Sequence, residues 1–118
     1  MSSKDVRDAR QRIADMLEAM ARIRRYTAGL DEVTFAANTL VFDATVRNFE
    51  ILGEAAKHVP EGLRRHYTDA PWQKIVDLRN WVAHDYADAS PAILWKTIER
   101  RLGPLEAALR AMLRETEL

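Results

Sequence analysis

An arginine, an imidazole and a phenol fall at R-x4-H-x-Y spacing in the run Arg79-Asn80-Trp81-Val82-Ala83-His84-Asp85-Tyr86. Such groups suit phosphate chemistry. A guanidinium offers a fixed fork of donors to phosphate oxygens, and an imidazole can give or take a proton near neutral pH. Together the two are enough for metal-free cleavage of RNA. The spacing by itself is a weak signal, because 14 Arg and three His make chance pairings common. A lone Arg-to-His spacing more often marks a solvated helix face with an i, i+4 capping His.

Geometry narrows the options. The stretch from Pro71 to Leu78 reads as helix, and the motif continues it. At about 100° per residue, Asn80 and His84 stack on one face, so Asn80 can orient the imidazole. Arg79 and His84 lie about 140° apart on the same count and do not easily converge on one phosphate. Either the helix loosens near Ala83, or a second copy of the motif completes the site across a two-fold interface; the second is preferred. Tyr86 comes two turns after Arg79, which sets its hydroxyl at the mouth of any pocket that Arg79 lines.

Apolar spacing supplies the elements that must hold these residues. Val6, Ala9, Ile13, Met16, Met20 and Ile23 form one stripe of a first helix that ends near Gly29. Asp31 is a plausible N-cap for a second helix running through Lys57 and stopping before Pro60. That helix carries two stripes: Val33, Ala37, Leu40, Ala44, Ile51 and Ala55, and then Phe42, Val46, Phe49, Gly53 and Ala56. Two apolar faces imply two partners, the bundle and a second subunit, with Phe42, Val46, Phe49 and Gly53 expected at the dimer interface. Gly53 costs about 1 kcal/mol relative to Ala inside a helix, which fits either a close backbone approach or a Gly tolerated in a well-packed core. Leu63 to Tyr67 can form only a short turn. Ser90 and Pro91 read as N-cap and first position of a last helix, whose stripe is Trp95, Ile98, Leu102, Leu105, Leu109 and Met112; Pro104 is expected to kink it. The predicted fold class is all-α, an up-and-down four-helix bundle with a short extra turn, in one domain spanning residues 1–118.

Composition is that of a globular chain, with 47% hydrophobic and 31% charged residues. No apolar run approaches the ~18 residues of a membrane span, and the polar start is unlike a signal peptide, so no membrane association and a cytoplasmic location are expected. Without Cys there is no disulfide framework, thiolate metal site or Cys nucleophile. A net charge of zero leaves room only for local basic patches, such as Arg22, Arg24 and Arg25 or Lys57, Arg64, Arg65 and His66. Each reads more simply as a solvated helix end. Glu50, Glu54 and His58 share a face at metal-ligand spacing, yet no second helix offers a matching set, and neither a metal nor another cofactor is expected. Trp72, Trp81 and Trp95 read as core rather than as base-stacking platforms.

With these residues together, the chain resembles the HepT-like toxins, ribonucleases of the HEPN superfamily. The resemblance lies in the R-N-x3-H-x-Y motif, the run from Val46 through Leu52-Gly53-Glu54-Ala55-Ala56-Lys57, the Trp72 helix and Leu102-Gly103-Pro104-Leu105. It implies a HEPN-like fold and a metal-independent endoribonuclease, the toxin of a type VII-like toxin–antitoxin pair. Attack of the ribose 2′-hydroxyl on the adjacent phosphate would be served by His84 in proton transfer, by Arg79 in stabilising phosphate charge and by Asn80 in holding the imidazole. The implied partners are RNA, a second copy of the chain and a nucleotidyltransferase antitoxin that attaches AMP to Tyr86. The rival reading is a non-catalytic helical subunit that binds substrate for, or regulates, a nucleotidyltransferase. Which residues outside the motif bind RNA is not legible.

Overall fold

The computed structural model describes residues 2–84 and 90–116, with only the backbone described for 80–84. The described residues form six helices: α1 (Ser3–Thr27), α2 (Glu32–Ala37), α3 (Thr39–Lys57), α4 (Glu61–Arg64), α5 (Trp72–His84) and α6 (Pro91–Glu115). No strand occurs among the described residues. The four long helices α1, α3, α5 and α6 are the expected all-α bundle, with α2 and α4 as short additions.

Local chemistry sets the boundaries. Ser2 caps α1 reciprocally with Asp5: the Asp5 N–H donates to Ser2 Oγ at 3.1 Å, and the Ser2 N–H donates to Asp5 Oδ2 at 3.3 Å. The chain leaves α1 through Gly29, whose φ of +78° is open to glycine and costly for other residues. Asp31 caps α2 as expected, accepting the Thr34 N–H at 2.8 Å. Ser90 and Pro91 open α6, although the Ser90 side chain makes no capping hydrogen bond, and the helix continues through Pro104.

The expected single helix from Asp31 to Lys57 is in fact two, broken at Asn38. That residue has extended backbone (φ −99°, ψ 92°). Its N–H donates to the Phe35 carbonyl at 3.2 Å, closing α2, while its side-chain oxygen accepts the Val41 N–H at 3.0 Å, opening α3. A residue able to cap both ends makes the break inexpensive. The break lets α2 lie over α6, with Phe35 fully buried between Phe42 (5.8 Å between ring centroids) and Trp95 (5.3 Å). It also leaves Val33 and Leu40, 74% and 80% exposed, outside the core.

Packing runs in the order α5, α3, α1, α6 around the bundle. The stripe of α1 is buried from Ala9 to Ile23, and Leu102, Leu105, Leu109 and Met112 of α6 are fully buried opposite it. Arg10 pins the far end of α6, donating to the Leu113 carbonyl at 2.7 Å and to Thr116 Oγ1 at 3.2 Å, and Arg24 pairs with Glu106. These register points run in opposite senses along the two helices, so α1 and α6 are antiparallel. The second stripe of α3, expected at a subunit interface, is instead core: Val46 is 2% exposed and Phe49 1%. Gly53 and Ala56 are buried with them, and Phe42 packs at the edge. The reason is that α3 lies between α1 and α5, so both of its apolar faces are used within the chain. No helix among the described residues is long and apolar enough to cross a membrane.

Candidate functional site

The motif begins on the last two turns of α5, and the packing of that helix fixes where Arg79 stands. A Cβ built on Gly53 would overlap Arg79 Cβ, lie 2.8 Å from Arg79 Cγ and 3.1 Å from the Ile75 carbonyl oxygen. Only glycine at this position lets α5 come so near to α3, the first of the two alternatives that the sequence left open. The aliphatic stem of Arg79 therefore lies across bare α3 backbone. Its guanidinium reaches past that contact to Glu54, with Nη2 at 3.0 Å from Oε2.

Glu54 joins two cationic or polar partners. Its Oε1 is 3.2 Å from His58 Nε2, one turn further along α3. The hydrogen bond from His58 holds the Glu54 carboxyl below its usual range, and the charge of Arg79 adds to this against the opposing effect of partial desolvation. With side chains 30% and 45% exposed, the Arg79–Glu54 pair adds little to stability; its larger effect is to orient the guanidinium. Glu54, which shares metal-ligand spacing with Glu50 and His58 in the sequence, is instead the partner of Arg79, a role its spacing does not reveal. The signal lay in the Gly53-Glu54 pair, since the residue beside a close helix approach is placed to meet what crosses there. Glu50 instead faces Arg47 at 3.4 Å, and no group of three potential ligands gathers among the described residues.

Arg79 stands on the rim of a groove of about 430 Å³ across α1, α3 and α5. Three of its four arginines face carboxylates: Arg22 pairs with Glu18 at 3.3 Å, Arg47 with Glu50 and Arg79 with Glu54. Of the other basic residues noted in the sequence, Arg24 pairs with Glu106 and Arg25 lies 5.8 Å from the Tyr26 ring centroid, as solvated helix ends would. Trp72 is buried, its indole N–H donating to the Tyr67 carbonyl at 3.0 Å, and Trp95 packs on Phe35. Both are structural.

Asn80 and His84 fall on α5, which stays helical to its last residue, His84. Loosening near Ala83 therefore does not occur, and the offset of about 140° between positions 79 and 84 stands. The side chains of Asn80, Trp81 and His84 and the whole of Tyr86 lie outside the described residues.

The sequence profile described as ribonuclease HepT-like matches residues 16–112, which contain all of α3 and α5. A protein of Methanocaldococcus jannaschii named "Putative RNase" is 30% identical over 93 residues, 79% of this chain and 85% of that one. Another of the same printed name, from Caldanaerobacter subterraneus subsp. tengcongensis, is 30% identical over 87 residues, covering 74% and 78%. A "Probable ribonuclease HepT" of Thermococcus cleftensis is 28% identical over 94 residues, covering 80% and 86%. No solved structure matches this chain significantly. With the match running through the helix that carries the motif and the glycine that seats it, the chain belongs to the HepT-like ribonuclease family.

Proposed function

We propose that this chain is a metal-independent endoribonuclease and the toxin of a toxin–antitoxin pair. The support is Arg79: a partly exposed guanidinium at a groove rim, one residue before Asn80-x3-His84, inside a span that matches a ribonuclease family. The ribose 2′-hydroxyl attacks the adjacent phosphorus. The O2′–P bond forms as the P–O5′ bond breaks, leaving a 2′,3′-cyclic phosphate and a 5′-hydroxyl. One proton leaves O2′ and one must reach O5′, which is imidazole chemistry. Arg79 stabilises the charge building on the phosphate, and Asn80 holds the His84 ring.

Because positions 79 and 84 point apart on a continuous helix, the reading takes the site to be shared between two copies. Two copies also supply two imidazoles, one to accept a proton and one to donate it. A nucleotidyltransferase partner that attaches AMP to Tyr86 would add bulk and negative charge beside Arg79 and compete with substrate phosphate.

The test is cleavage of single-stranded RNA by the purified chain in EDTA, read on a gel with 3′-end chemistry. His84→Ala is expected to lose cleavage with its helical spectrum intact, and Arg79→Lys to be severely impaired because a point charge cannot replace the fork. Undiminished cleavage by His84→Ala would remove the assignment. Intact mass after incubation with the partner and ATP addresses control: AMP on the wild type and none on Tyr86→Phe is expected, whereas equal modification of both moves the control site elsewhere.

A further inference from the structure

Among the described residues α5 packs chiefly on α3, and α6 on α1 and α2, which leaves the α5–α6 side the least packed of the bundle. A second groove of about 430 Å³ runs there, between α5 and α6. Leu78, Thr97 and Ile93 line its floor, Ile93 being 48% exposed. Its walls carry Lys74 from α5 and Lys96, Arg100 and Arg101 from α6, all exposed, against one carboxylate among the described residues, that of Asp77. Asp77 already accepts a hydrogen bond from Gln73 Nε2 at 2.7 Å.

The two grooves differ in charge balance. In the groove beside Arg79 three of the four arginines have carboxylate partners. None of the four cations of the α5–α6 groove makes an ion pair among the described residues. On a chain whose formal charge sums to zero, four unpaired cations around an apolar floor describe a polyanion track rather than a generic solvated face. Lys96 and Arg100 are one helical turn apart, about 5–6 Å, comparable to neighbouring phosphates of an extended strand. Position 84 lies two turns after Asp77 on α5, so the track runs along that helix towards the end that carries the motif.

We propose that the α5–α6 groove binds the backbone of single-stranded RNA. Lys74, Lys96, Arg100 and Arg101 neutralise its phosphates, and Leu78 and Ile93 give its bases an apolar surface. The choice of RNA as the polyanion rests on the ribonuclease reading; the existence of the track does not.

The probe is a fluorescein-labelled 2′-O-methyl oligonucleotide, which lacks the attacking hydroxyl, so binding is measured without cleavage. Anisotropy titrations over a range of salt give the slope of log affinity against log salt. Each neutralised phosphate on a single strand contributes about −0.7, so the wild type should give about −3. The variant carrying Lys74→Gln, Lys96→Gln, Arg100→Gln and Arg101→Gln should lose most of that slope and at least about tenfold in affinity at ~100 mM salt, with an unchanged melting curve. Arg47→Gln, in the other groove, should keep the wild-type slope. A quadruple variant that binds like the wild type, or a loss that follows Arg47 instead, overturns the proposal. So does a wild type that ignores the oligonucleotide but binds polyglutamate through the same four residues, since the track would then fit an acidic protein. Groove-dependent binding by a chain that cuts no RNA would sink the ribonuclease reading and leave the track standing. Wild-type cleavage retained in full by the quadruple variant would do the reverse.

Discussion

A methyl group at Gly53 would meet the Arg79 side chain and the Ile75 carbonyl at once, and one of those contacts is backbone that cannot swing aside. Gly53→Ala gains helix propensity of about 1 kcal/mol but overpacks the helix crossing, which costs about 1–3 kcal/mol. The net expectation is a lower denaturation midpoint and a displaced Arg79, read as a fall in RNA cleavage larger than the stability loss explains. Glu54 sets a second expectation. Its carboxyl titrates below the usual range, so the stabilisation it contributes is present above its unfolded value and lost as pH falls through the lowered folded value. Unfolding curves of wild type and Glu54→Gln should therefore differ at neutral pH and converge only in acid. A rate loss near pH 6, where unperturbed imidazoles titrate, then belongs to a histidine and not to this carboxyl.

At the level of elements, Asn38 shows what periodicity alone misses. The apolar spacing of Val33, Ala37 and Leu40 fits one continuous helix, and nothing in that pattern weighs a polar side chain that can end one helix and begin the next. The clue was Asn between Ala37 and Thr39, a good cap and the one turn-type residue from Val33 to Phe42. Asn38→Ala should cost about 1 kcal/mol, measurable by urea denaturation, with the Phe35–Trp95 contact loosened. The stripes of α1 and α6 were legible because each is one continuous apolar face, even though α1 packs on both α3 and α6 and α6 on both α1 and α2. The second stripe of α3 was legible as apolar but not as to its partner, since which helix lies across Phe49 is a matter of chain topology. Phe49→Glu is accordingly expected to unfold the chain by burying an unpaired charge, seen as loss of helical signal, rather than to split a folded dimer. The motif was visible because Arg79, Asn80, His84 and Tyr86 are close in sequence. The basic groove was not, because Lys74 and Arg100 meet only when α5 and α6 are set side by side.

For the whole molecule, the proposed shared site makes a measurable demand. Arg79→Ala and His84→Ala chains, each inactive alone, should recover part of the cleavage when mixed and refolded together, because one mixed site then has both groups; no recovery would confine the site to one copy. The mass in solution, by light scattering, should be that of two chains. The antiparallel pairing of α1 with α6 has a consequence for synthesis. The side chains that close the core around Ile13, Met16 and Met20 are Leu102, Leu105, Leu109 and Met112, and Arg10 waits for the Leu113 carbonyl. A growing chain that already includes the motif still lacks the helix that seals its first one. At about 5–20 residues per second, a delay of seconds separates the two events. Synthesis of the motif therefore precedes completion of the core that positions it.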